Sequence, residues 1–244
     1  MGTPPPASSN PSPPAPRPLL SLAVLGAGGY GRSVADVAEA CGWKGDRYDD
    51  SLWPTATTCG PWPIVGNLDT LIARLGEHEG VAVAIGDCVA RLRVTRRLQA
   101  SGAHLPPLVH PSAWVSPHAK LLGAGCVVLA GAAINVGATV GQACIITPGA
   151  TVGHDCTLAA GVHISPGAHL AGGGTVGECT WVGIGAAVKQ GVRLGSHAVV
   201  GAGAVVVSPV SDGVCVIGCP AKPMADKMAH LAHARNASAW WPRM

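Results

Sequence analysis

No stretch of the chain carries 18 consecutive apolar residues, so none of it is expected to span a membrane. Its nine cysteines include no Cys-x-x-Cys pair, which argues against a zinc knuckle. No basic stripe runs through the repeats, and 16 Lys and Arg against 13 Asp and Glu leave a net charge of +3, which argues against a nucleic-acid partner. The N-terminus lacks the charged-then-apolar pattern of a secretory signal, so a cytoplasmic protein is expected. Phenylalanine is absent altogether. Aromatic residues make up only 4% of the chain, and aliphatic side chains are expected to fill the core of its repeats.

Those aliphatics are arranged with a strict period. From Leu122 every sixth residue to Val206 is Leu, Ile or Val, as in Ile134, Val140, Ile146, Val152 and Leu158. Four positions later in each hexad stands a small or β-branched residue, Cys126, Cys144 and Cys156 among them. A period of six fits neither a helix nor an isolated strand, and is the mark of a hexapeptide parallel β-helix. Three hexads close one triangular coil, so Ile134, Val152, Leu170, Val188 and Val206 should stack along one face. The three cysteines then read as small buried hydrophobes in a reducing compartment.

Four segments follow from composition. Residues 1–18 are rich in proline and read as a disordered arm. Residues 19–108 read as a Rossmann-like half-domain: a buried strand Leu19–Leu25, a glycine turn, a helix from about Arg32 to Cys41, a short helix Leu68–Leu75, a strand Val81–Ile85 and a helix Val89–Gln99. Residues 109–218 carry the repeats, with opening hexads at Val109 and Val115 and a one-residue slip at Leu121. Residues 219–244 form a tail with helical stretches near Ala225–Ala234.

Two places carry chemistry. Gly26, Gly28 and Gly31 match G-x-G-x-x-G between a strand and a helix, where free N–H groups and missing side chains admit phosphate. Asp49 and Asp50 follow at the distance of a ribose-binding acid. Only one mononucleotide-binding half is present, which fits the nucleotide part of a nucleotide sugar better than NAD; a tight turn without a ligand is the alternative. In the repeats, His154 falls near a corner, is followed by Asp155, and has Gly172 one coil further along. A histidine oriented by a carboxylate is a suitable general base. His163 and His169 are weaker candidates. Several histidines on a β-helix also raise the zinc site of β-helical carbonic anhydrases, but Ala159 stands where a closely following third ligand is expected, so no metal is assigned.

The chain resembles the sugar acyltransferases of the sialic-acid O-acetyltransferase and bacillosamine-pathway N-acetyltransferase group over about Leu19–Met224. The likeness rests on Gly26-Ala-Gly-Gly-Tyr-Gly31, Ile85-Gly-Asp87, Val109-His-Pro-Ser-Ala113, Gly153-His-Asp-Cys156, Val162-His-Ile-Ser-Pro-Gly-Ala168 and Gly218-Cys-Pro-Ala-Lys222. The resemblance implies a left-handed coil, a homotrimer, acetyl-CoA as co-substrate and a nucleotide-activated amino sugar as acceptor. It makes His154 the general base and Asp155 its partner, and places His163 near the thioester. Gly172, Gly173 and Ala186 would line the CoA channel, and Gly26, Gly28, Gly29 and Asp49 would hold the nucleotide. Three departures stand out: Thr147 where an Asn is frequent, Cys219 in place of the Asn of Gly-Asn-Pro-Ala-Lys, and Tyr30 where the turn often carries His. The expectation is N-acetylation of an amino-sugar nucleotide by direct transfer. Alternatives are sialic-acid-type O-acetylation, a zinc-dependent lyase and a non-catalytic trimeric scaffold.

Overall fold

A computed structural model describes residues 20–121 and 123–224. The N-terminal arm and the expected helical tail lie outside the described residues. Strand β1 (Leu20–Leu25) is the central strand of a small sheet and leads through the glycine turn into α1 (Gly29–Ala40). There follow β2 (Trp43–Lys44), β3 (Arg47–Tyr48), β4 (Thr58–Cys59), β5 (Trp62–Gly66) and α2 (Leu68–Ala73). Strand β6 (Gly80–Val83) and α3 (Cys88–Ala100) complete the α/β part. Parallel partners flank β1, with β6 on one side and β2 and β3 on the other. Leu22 to Leu25 are buried, as a central parallel strand covered on both faces requires. The segment 47–65, which offers no clear pattern in sequence, supplies β3 to β5, and β4 pairs antiparallel with β5.

Helix α1 begins at Gly29, inside the glycine motif and three residues before the sequence suggests. Crowding explains the early start. A side chain on Gly31 would run into the Gly26 carbonyl, and one on Gly26, at φ +117°, into the Ala84 carbonyl. The turn is therefore tight enough that the helix starts as soon as Gly28 has capped it.

From Leu108 the chain winds into a left-handed parallel β-helix of two-residue strands on three faces. One face stacks Val128, Ile146, Ile164, Val182 and Val200, and the second stacks Ile134, Val152, Leu170, Val188 and Val206. These side chains and the small residues between them, Cys126, Cys144 and Cys156 included, form one continuous buried core. Each of the three thiols donates to a carbonyl of a neighbouring coil, at Gly141, Ala159 and Ala171.

The register departs from the sequence reading at both ends. On the third face Leu121 pairs with Val140, in the place that an unbroken six-residue period gives to Leu122. The extra residue lies between Leu121 and Val127, since Val127 pairs regularly with Ile145. At the far end Val210 pairs with Leu194, so it takes an aliphatic stacking position, not the small corner position. The last coil is two residues short. Beyond it, Cys215–Ile217 closes one sheet and Lys222–Pro223 folds back antiparallel upon it.

The two parts pack through one broad seam. Leu22, Val24, Val34, Val37 and Ala38 of β1 and α1 lie against Leu108, Val127, Leu129 and Ile145 on the outside of the coil. Helix α3 covers a corner instead, with Cys88 and Leu92 against Ala143, Ala160 and Cys179. Ala160, at an outward position of the coil, is covered by α3 of its own chain. Among the described residues no helix is long and apolar enough to cross a membrane.

Candidate active site

His154 and Asp155 occupy the turn after Thr151–Val152. Nδ1 of His154 lies 2.8 Å from Oδ2 of Asp155. A carboxylate only accepts, so Nδ1 carries the proton and Nε2 is left with its lone pair. Both side chains are exposed, at 66% and 70%. Two glycines of neighbouring coils make room for the pair. The imidazole fills the space where Gly172 would carry its Cβ, and the Asp155 carboxylate fills the corresponding space at Gly137.

Within its own corner column the same turn also stands out in backbone conformation, although Ala143, Cys179 and His197 hold a like conformation at another corner. Gly137, Gly173 and Gly191 hold one column of this corner at φ +71°, +71° and +68°, whereas Asp155 holds it at φ +56°. A side chain in that region costs on the order of 1 kcal/mol or more, which glycine avoids at the other three positions of the column. The column is tied together by Asp155 N–H to Val136 O, Gly173 N–H to His154 O and Gly191 N–H to Gly172 O. Among the described residues the Gly172 N–H, beneath the imidazole, donates to no backbone carbonyl.

The remaining sequence-predicted residues fall elsewhere. His163 is on another face, buried, with its ring stacked on Trp181 at 4.7 Å and 6°. Burial, and next the Arg91 guanidinium, push its pKa down to about 4, opposed by a hydrogen bond to the Gly86 backbone. Its Nδ1 is buried without a partner. Ala186 lies inside the prism, fully buried, and its N–H and C=O are bonded to Gly183 and His169. It presents no group to a ligand, contrary to the expected place in a CoA channel. Gly172 and Gly173 stay together beside His154, Gly173 with open space around it.

In the α/β part, Gly26 and Gly31 are demanded by the turn itself. Gly28 and Gly29 are exposed, and a Cβ on either would meet nothing within 4 Å. Their openness at the start of a helix is what a phosphate needs. Asp49 sits next to this turn but spends its carboxylate on it. Oδ2 accepts from Ala27 N–H, and Oδ1 from Ser51 and Leu52. Its role in the structure is to brace the cradle, and a ribose would find its oxygens already occupied. Asp50 likewise accepts from Leu68 N–H. An open groove of about 430 Å³ lined by Ser21, Glu39, Lys44, Gly45, Asp46 and Pro63 includes none of these residues.

Comparison with known proteins gives the family of the chain. Residues 21–98 match the model of the PglD N-terminal domain. The acetyltransferase domain of PglB from Neisseria gonorrhoeae FA1090, solved with acetyl coenzyme A, is 41% identical, with 84% of this chain and 98% of that one covered and a TM-score of 0.80. The chain belongs to the hexapeptide-repeat sugar acetyltransferases. Perosamine N-acetyltransferase from Caulobacter crescentus, solved as a histidine-to-asparagine mutant with CoA and GDP-perosamine, is 40% identical, with coverage of 84% and 97% and a TM-score of 0.79. WeeI from Acinetobacter baumannii AYE is 26% identical, with coverage of 83% and 99% and a TM-score of 0.76. No match was found among curated proteins.

Within this acetyltransferase two features escape sequence reasoning. The His163–Trp181 stack was visible only as an 18-residue spacing, with nothing to mark its meaning. Arg91, buried at the junction of the two parts, carries no mark in the sequence pattern of α3.

Proposed function

We propose that the chain transfers an acetyl group from acetyl-CoA to the amine of a nucleotide-activated amino sugar. The observation that carries this reading is the His154–Asp155 pair, fixed over Gly172 and Gly137 at a coil corner. His154 Nε2 takes a proton from the amine as its nitrogen attacks the thioester carbonyl. The tetrahedral oxyanion finds a donor in the Gly172 N–H beside the imidazole. Collapse breaks the C–S bond, and the proton on Nε2 passes to the departing CoA thiolate. Asp155 holds the ring and stabilises its charged form.

The open turn at Gly28 and Gly29 takes the diphosphate of the nucleotide, so that residues 19–108 act as the nucleotide-sugar domain and 109–218 as the acyl-transfer domain. Gly173 gives the CoA arm room to pass. The neighbouring complexes with acetyl-CoA and with CoA plus GDP-perosamine favour these substrates. They are cytoplasmic compounds, and the cytoplasm is the compartment we assign.

The pair is exposed on a convex corner, and the glycine turn belongs to another side of the chain. A homotrimer, in which the His154 corner of one chain faces the next, supplies the missing wall. An apolar corner ladder of Ala130, Pro148, Pro166, Ile184 and Ala202 is available for it, with Ile184 at 61% exposure, and Val136, at 52%, lies one coil before His154 on its own corner. The decisive test is a panel of UDP-, GDP- and TDP-amino sugars with acetyl-CoA, following release of free CoA thiol. Turnover on hydroxyl sugars alone would favour O-acetylation, and turnover on neither would reject the assignment.

A further inference from the structure

Arg91 is 1% exposed and sits between α3 and the coil. Its guanidinium donates four hydrogen bonds of 2.8 to 2.9 Å. Nη1 reaches Ile85 O and Gly86 O, Nε reaches Ala143 O, and Nη2 reaches Gly161 O. Among the described residues it has no carboxylate within ion-pair distance. The groups that feel its charge are Tyr30 of α1, Cys88 of α3, Cys126, Cys144 and Cys179 of the coil, and His163. A buried, unpaired cation is an expensive way to join two surfaces that already meet through Leu92, Ala160 and Cys179. An apolar side chain would seal that contact at lower cost.

What the guanidinium alone does is to fix four carbonyls in one plane geometry. Two of them belong to the loop after β6, which adjoins the phosphate turn because Gly26 packs on the Ala84 carbonyl. The other two belong to successive coil corners, where Ala143 at φ +54° and Gly161 at φ +70° turn their carbonyls towards α3. Gly161 stands two residues before His163. The loop that walls the nucleotide and the strand that carries His163 are thus clamped by one side chain.

We propose that Arg91 is a positioning residue for the transfer, holding the Ile85–Gly86 wall of the nucleotide cradle at a set height against the coil strand of His163. The inference rests on the reading of the chain as an amino-sugar-nucleotide acetyltransferase. A displacement of about 1 Å between bound reactants costs on the order of 10²-fold in rate.

Two variants of the full-length enzyme test it. Arg91→Lys keeps the charge but not the fork, and Arg91→Met removes both. Arg91→Lys should lower kcat about tenfold or more while the Kd for CoA, measured by calorimetry, stays at the wild-type value. Arg91→Met should lower kcat about 10²-fold. In histidine-selective NMR, its His163 resonance, assigned by its loss in His163→Asn, should titrate at higher pH than in wild type, and Arg91→Lys should leave that titration in place. If Arg91→Met does not fold, the kcat of a folded Arg91→Lys decides alone. Wild-type kcat in Arg91→Lys overturns the proposal, as does a loss confined to thermal stability. A wild-type enzyme inactive on every amino-sugar nucleotide would instead reject the underlying reading.

Discussion

The His154 imidazole occupies the volume of the side chain that Gly172 does not have. Nε2, Cε1 and Cδ2 all lie where a Cβ would stand, so the general base and the absent side chain form one device. Gly172→Ala should therefore push the ring aside without straining the backbone. Its kcat is expected to fall about 10- to 10²-fold, with melting temperature within a degree or two of wild type. His154→Ala should cost about 10²- to 10⁴-fold. Steady-state kinetics of the two folded variants check both, and an unimpaired Gly172→Ala would detach the base from this corner.

The glycine turn predicts opposite outcomes at neighbouring positions. Gly28→Val has open space and should fold normally, yet raise KM for the nucleotide sugar at least tenfold by filling the place of the phosphate. Gly26→Ala, strained at φ +117° and driven into Ala84 O, should lose stability before it loses affinity. Asp49→Asn should behave like Gly26→Ala, since its carboxylate accepts from Ala27, Ser51 and Leu52, with a loss of about 1–3 kcal/mol. Thermal melts beside KM values separate the two classes.

His163 gives a pH dependence with a definite sign. Its pKa falls from 6.5 in the open chain to about 4 in the fold, because burial disfavours the imidazolium. Between these values the unfolded chain binds more protons than the native one. Stability should thus be fully present above pH 6.5 and fall as pH drops towards 4, by about 3 kcal/mol. Urea melts of His163→Asn should show a flatter profile across that window.

Whether the site is shared between chains can be examined by mixing. A His154→Ala chain and a Gly28→Val chain should each be impaired, and co-assembled trimers should regain part of the activity where an intact His154 corner faces an intact glycine turn of the next chain. Ile184→Glu should weaken assembly, because it charges an apolar corner ladder. Light scattering with CoA-release assays reads both. A fully active monomer would defeat the arrangement.

The β-helix was legible in sequence because its order is one-dimensional: each hexad repeats the same burial, and Ile134, Val152 and Leu170 stack as their spacing requires. The slip at Leu121 and the short coil at Val210 break that period, and only the pairing to Val140 and Leu194 shows where the missing or extra residue lies. His154, Asp155 and Gly172 were legible for the same reason, since a regular coil converts sequence spacing into adjacency. Asp49 was misleading. Its distance from the glycines suits a ribose, but spacing does not reveal which N–H groups have already claimed its oxygens. Arg91 could not be found from sequence, because its four partners are main-chain carbonyls that leave no mark in side-chain pattern.

The fold-back of Lys222–Pro223 closes one edge along which the coil could grow. A parallel coil ends on a row of unpaired peptide groups, a template on which any extended segment could add. Here the last strand of one face receives an antiparallel neighbour, with Met224 N–H bonded to Cys215 O. The neighbour runs against the winding direction and contains a proline with no N–H to offer. Further coils cannot continue the spiral from that edge. The closing segment is thus a stopper, which keeps a repeat that could in principle stack end to end from becoming a filament.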